Sequence, residues 1–150
     1  MKTLVALLLV IAGCSRSNKP AKVVFVCEHG SAKSVVAALH FQRLAEKRGL
    51  RVEAVARGVT PDAALSASAR SGLRDDGIDV GDMKPLALTP SDTREAKVVV
   101  SFGQDVRATA GDVPVRRWDD APAVSEDYAR ARDYILSHEA ALLDELQRTP

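Results

Sequence analysis

The chain has 150 residues, of which 46% are hydrophobic and 27% charged, with a formal net charge of +1. That length holds one domain with a real core, and that composition belongs to a soluble globular body. So even a charge argues against a general nucleic-acid binder, which carries a basic patch or a high pI; Arg116-Arg117 is the only adjacent arginine pair.

The N-terminus differs in kind from the rest. Met1-Lys2 supplies a positive start, and Leu4 to Ile11 is an apolar run far short of the roughly 20 residues a membrane span needs. It reads as the apolar core of a signal peptide over residues 1–13. Ile11-Ala12-Gly13-Cys14 resembles the bacterial lipobox, which implies cleavage before Cys14 and a lipid on its sulfur. Residues 14–21 then form a polar tether, and 22–150 the folded domain. The expected location is an exported lipoprotein held at a membrane of the bacterial cell envelope through Cys14.

Val23 to Val26 is a β-branched and aromatic run, predicted as a central strand buried on both faces. Ser34 to Arg48 has a broad apolar face and ends in Lys47-Arg48-Gly49, a helix-stop signal. Arg51 to Ala56 alternates and predicts a second strand, and Ser66 to Asp76 a helix stopped by Gly77. Ser91 to Ala96 predicts a short helix before a third strand at Lys97 to Phe102. Val113 to Arg117 is a weak fourth strand. The last helix is expected from Ser125, with Ser125-Glu126-Asp127 as cap and first-turn acids. Strands alternating with helices imply an α/β fold: a small parallel four-stranded sheet with helices on both faces. Ligands in such sheets sit at the carboxyl ends of strands.

Cys27-Glu-His-Gly-Ser-Ala-Lys-Ser34 occupies that place after the first strand. A helix N-terminus offers unpaired N–H groups and partial positive charge, both favourable to an oxyanion. The same field favours a thiolate at Cys27. Gly30 lets the loop turn tightly, Lys33 adds a formal charge, and Ser34 is placed to cap the helix or bond the thiolate. The predicted anion cradle is therefore Glu28, His29, Gly30, Ser31, Ala32, Lys33 and Ser34 over Cys27. A cysteine at a strand end is by itself more often packing than catalysis; the spacing to Lys33-Ser34 and the strand–loop–helix setting point to an anion site. With Cys14 lipidated, Cys27 has no intramolecular partner. His29, His40 and His138 are scattered, so no metal or cofactor is called for.

Cysteine, five residues, a cation and serine after a first strand resembles the phosphate loop, C-x5-R-S, of low-molecular-weight protein tyrosine phosphatases and the related thiol arsenate reductases. Gly77-Ile-Asp-Val80, Leu88-Thr-Pro90, Lys97 to Phe102 and Trp118-Asp-Asp-Ala-Pro122 extend the likeness over most of the domain. The resemblance implies a phosphorylated or oxyanion substrate, attack by Cys27 on phosphorus and a phosphocysteine intermediate. It implies a general acid at Asp120 or, second in preference, Asp119. The departures are as informative. Lysine stands at position 33 for the family's arginine, which replaces a bidentate fork by a point charge. Gly30 stands for a bracing asparagine, which predicts a looser loop. Gly103 follows Phe102 where methionine and aspartate are common in the family. No cysteine follows Cys27, so arsenate reduction needs an external thiol. Three readings stand: a phosphate monoester hydrolase, an arsenate reductase using an external thiol, and a non-catalytic oxyanion-binding lipoprotein.

Overall fold

Val23, Val24, Phe25 and Val26 are without exposed surface, and the strand they build is the axis of the domain. The computed structural model describes residues 19–148; the apolar run, Cys14 and tether residues 14–18 lie outside the described residues, and Ala21, expected to close the tether, already belongs to the first strand. In chain order the elements are β1 (Ala21–Cys27), α1 (Lys33–Lys47), β2 (Val52–Gly58), α2 (Ala67–Asp75), α3 (Pro90–Arg94), β3 (Ala96–Ser101), α4 (Arg107–Ala110), β4 (Val115–Arg117) and α5 (Tyr128–Arg148). The four strands are all parallel, in the order β2-β1-β3-β4. The chain leaves β1 toward one side for β2 and returns across it to β3, which makes the carboxyl end of β1 a switch point.

Successive side chains of a strand face opposite ways, and the sheet uses this to build two cores. Val23, Phe25, Val98 and Val100 join Phe41 of α1, Leu73 of α2 and Ile135 of α5. Val24, Val26 and Val99 meet Val106 and Ala110 around α4 on the other face. Helices therefore cover both faces, as the alternation of elements predicts. Among the described residues, no helix is long and apolar enough to cross a membrane.

Most boundaries shift by a residue or two from the sequence-based expectation, the last helix and fourth strand differ for identifiable reasons, and one short helix is unexpected. The last helix starts at Tyr128 rather than Ser125, because Val124 to Glu126 close a turn first, with Glu126 and Asp127 N–H both donating to Ala123 O. The fourth strand is three residues long, Val115–Arg117; Pro114, which lacks an N–H, contributes only its carbonyl, to Val99 N–H. Helix α4, Arg-Ala-Thr-Ala, is too short to show a periodicity.

A half-buried polar tie joins the helices of the larger core. The Asp76 carboxylate, at the end of α2, accepts from Tyr128 O–H at 2.6 Å, Arg132 Nη1 at 2.9 Å and His40 Nε2 at 3.1 Å. Burial opposes the charge on Asp76, but the Tyr128 and Arg132 hydrogen bonds hold it below the usual carboxylate range. Gly72 admits the Tyr128 ring: a Cβ there would lie 2.3 Å from it. One carboxylate thus joins α1, α2 and α5, the helices that pack behind the loop after β1.

Candidate active site

The loop Glu28 to Ala32 joins β1 to α1, and it is held by its carbonyls. Val59 N–H donates to Cys27 O (3.1 Å), Thr60 N–H to Glu28 O (2.8 Å), Asp62 N–H to His29 O (3.0 Å) and Ser66 N–H to Ser31 O (2.9 Å). All peptides are trans, so each amide N–H points opposite to the carbonyl before it. The N–H groups of Glu28, His29, Gly30 and Ala32 are therefore aimed away from the bracing segment, toward the interior of the loop. Among the described residues, no backbone carbonyl or side chain accepts from the N–H of any residue from Glu28 to Ser34. A run of unspent donors above a helix N-terminus is what an oxyanion requires.

Cys27 and Ser34 stand at the floor. Cys27 Sγ lies 3.1 Å from Ser34 Oγ, and the cysteine is 8% exposed while Ser34 is fully buried. Of the two roles open to Ser34, the structure gives it contact with the thiol; α1 begins at Lys33 and its first turn has no side-chain cap. Lys33 is half-buried and near enough to Asp119 to contribute to its electrostatics.

The expectation of a looser loop at Gly30 is corrected. Gly30 has φ +62°, and a Cβ on it would stand 2.8 Å from Gly58 N. A Cβ on Gly58 would stand 2.7 Å from Gly30 N. Gly58 is pinned in turn by Leu86 O, which accepts its N–H at 2.8 Å, and by Leu88 N–H, which donates to its carbonyl at 2.9 Å. The brace is backbone against backbone, and Asp62 completes it by accepting from Ser31 Oγ at 2.7 Å. Gly58 and Asp62 escape sequence reasoning because they act largely through main-chain contact; a glycine closing the second strand is the one visible signal. Gly58→Ala is expected to push the loop off its support. Overpacking of this kind costs about 1–3 kcal/mol, so vanadate binding should weaken by about tenfold or more with the far-UV circular dichroism retained. Unchanged binding would show that the contact does not shape the cradle.

The two aspartates after β4 have different surroundings. Asp119 Oδ1 accepts from Gly103 N–H at 2.9 Å, and Oδ2 from Arg117 Nε at 2.8 Å. The Arg117 guanidinium holds the Asp119 carboxyl below its usual range, with Gly103 N–H and the charge of Lys33 acting in the same sense. Asp119 thus ties the β4 loop to the loop after β3. Asp120 is exposed and makes no hydrogen bond or ion pair within the described residues. Its charge, with that of Asp119, adds to burial in pushing the Tyr134 phenol up, which places all three near one another. Trp118 belongs to the core: it is buried, 5.9 Å from Phe25 and 5.8 Å from Phe102 between ring centroids. Arg117, the last residue of β4, is the clamp on Asp119.

Residues 22–118 match the family described as low molecular weight phosphotyrosine protein phosphatase. The chain belongs to this family. Curated proteins give no match. Among solved structures the domain is similar to YfkJ from Bacillus subtilis, with a TM-score of 0.74 at 18% identity, covering 87% of this chain and 96% of that one. It is also similar to the thioredoxin-dependent arsenate reductase of Corynebacterium glutamicum (TM-score 0.68, 19% identity, 90% of this chain and 66% of that one). Vibrio vulnificus Wzb in complex with benzylphosphonate gives a TM-score of 0.68 at 14% identity, over 83% of this chain and 98% of that one. Likeness at these identities establishes the fold, and the fold is shared by phosphatases and arsenate reductases alike.

Proposed function

We propose that the domain hydrolyses phosphate monoesters through a phosphocysteine at Cys27. The observation that carries the reading is the loop in which the carbonyls of Cys27, Glu28, His29 and Ser31 are bonded to the 59–66 segment while the amides from Glu28 to Ser34 stay unspent beside the Cys27 thiol. In the first step Cys27 Sγ attacks phosphorus; the S–P bond forms and the bond to the leaving oxygen breaks. Asp120 gives its proton to that oxygen. In the second step the Asp120 carboxylate takes a proton from water, the water oxygen attacks phosphorus, and the S–P bond breaks to release phosphate. Ser34, 3.1 Å from the sulfur, donates to the departing thiolate. The amides of Glu28 to Ser34 and the Lys33 charge hold the equatorial oxygens. Lysine in place of a bidentate arginine slows this chemistry, by analogy with loss of one transition-state donor by up to about 10²–10³-fold.

The test is hydrolysis of an aryl phosphate by the reduced domain, with Cys27→Ser alongside. Turnover lost in Cys27→Ser is the expected result; turnover unchanged by that substitution sinks the reading. Arsenate fits the same cradle, and it is the second reading because the fold is shared with an arsenate reductase. Its two electrons would come from an external thiol, since Cys27 is the cysteine available among the described residues. The same preparation given arsenate and a small thiol scores it: Cys27-dependent arsenite supports reduction, and its absence removes it.

A further inference from the structure

The mouth of the cradle is acidic, although the anion it is built for is negative. Glu28, the first loop residue, has a side chain 63% exposed, with its carboxylate 3.8 Å from His29 Nε2. Asp62 stands on the bracing side, bonded to Ser31 Oγ and 3.5 Å from His29 Nδ1. The arginines at this edge of the sheet are already engaged: Arg57 with Asp92 at 2.7 Å and Arg117 with Asp119 at 2.7 Å. Lys33, half-buried at the start of α1, is the cation of the loop's own sequence. The chain as a whole carries +1, so this polarity is local to the site and not a property of the whole surface. Carboxylates around an anion cradle repel the ligand unless it brings positive charge of its own, and they penalise acidic competitors in the same way.

From this, and resting on the hydrolase reading above, we infer that the preferred substrate carries its phosphoryl group amid positive charge. The class is a phosphorylated peptide segment with basic flanks. Its phosphate enters the amide cradle while its cationic side chains meet Glu28 and Asp62 at the rim. Charges this exposed are screened over about 10 Å at 0.1 M salt, so the preference is strongest at low ionic strength.

The experiment compares two phosphotyrosine peptides that differ only in lysine or glutamate flanks. Cys27-dependent kcat/KM is measured at low salt and at high salt. The lysine-flanked peptide is expected to be favoured by about tenfold at low salt, from several partly screened pairs acting together, and by less at high salt. Glu28→Gln should shrink the ratio; because the ratio is taken within one variant, any change in overall turnover cancels. Cys27-dependent hydrolysis with a ratio near one, or reversed, overturns the inference and leaves the hydrolase reading standing. If neither peptide is turned over, the hydrolase reading is decided by the aryl phosphate alone, and binding of both peptides to the Cys27→Ser protein decides the charge preference. Equal binding, or none, then overturns it.

Discussion

Asp120→Asn is expected to lower kcat for an aryl phosphate by about 10²–10⁴-fold, the usual weight of a positioned proton donor. Asp119→Asn should cost far less, on the order of tenfold. The difference follows from their partners. A general acid must enter the first step protonated, and Asp119 is held ionised below its usual range by Arg117, with Gly103 N–H on its other oxygen. Asparagine at position 119 keeps an acceptor for Gly103, so the loop stays tied. Asp120 has no such partner among the described residues. The pH profile separates donor from brace. Activity should fall as pH rises through the point where the donor ionises, and this limb should vanish in Asp120→Asn while persisting in Asp119→Asn. The reverse order of effects would make Asp119 the donor.

Glu139→Leu is expected to stabilise the domain, by an amount that grows with pH. Glu139 sits on the inner face of α5, one turn from Ile135 and from Leu143, with no exposed surface. Neither carboxyl oxygen has a hydrogen-bond partner. Burial pushes its pKa up from 4.5 to about 9, so at neutral pH it is carried as the neutral acid. Below its unfolded pKa the group is protonated in both states and exacts no proton-linked penalty. Between 4.5 and about 9 the unfolded chain releases the proton and the folded one keeps it, so stability falls by about 1.4 kcal/mol per pH unit. Above the folded pKa the loss levels off. At pH 7 the penalty is about 3 kcal/mol, and leucine removes it without leaving an unsatisfied polar group. Urea unfolding at pH 5 and pH 8 measures this: the gap between variant and parent should widen with pH. A gap that does not change would mean that Glu139 is solvated or paired in the folded state.

The parts of this molecule that sequence reveals are those encoded by neighbours along the chain. The run from Val23 to Ser34 names a strand, a turn and a helix start within a dozen residues, and the fold places Cys27 and Ser34 side by side as the spacing implies. The alternation of elements fixes the parallel sheet for the same reason. What sequence hides is partnership at a distance. Gly30 reads as a weakness in the loop until Gly58 is seen pressed against it. The four amides of Val59, Thr60, Asp62 and Ser66 that hold the loop carry no side-chain signature at all. Sequence prefers Asp120 to Asp119 only through the resemblance; the partners that separate the two, Arg117 and Gly103 on Asp119, are seen in the structure. Glu139 lies on the apolar stripe with Ile135 and Leu142 and was legible by helical period, yet a charged residue there reads as an outward one.

The central claim is that Cys27 accepts the phosphoryl group. Rapid acid quench of the reduced domain during turnover of an aryl phosphate, followed by peptide mass spectrometry, tests it most directly. The expected result is phosphate on the peptide containing Cys27, formed within a turnover time and absent from Cys27→Ser. Turnover without any phosphorylated Cys27, or phosphate recovered on another residue, would contradict it.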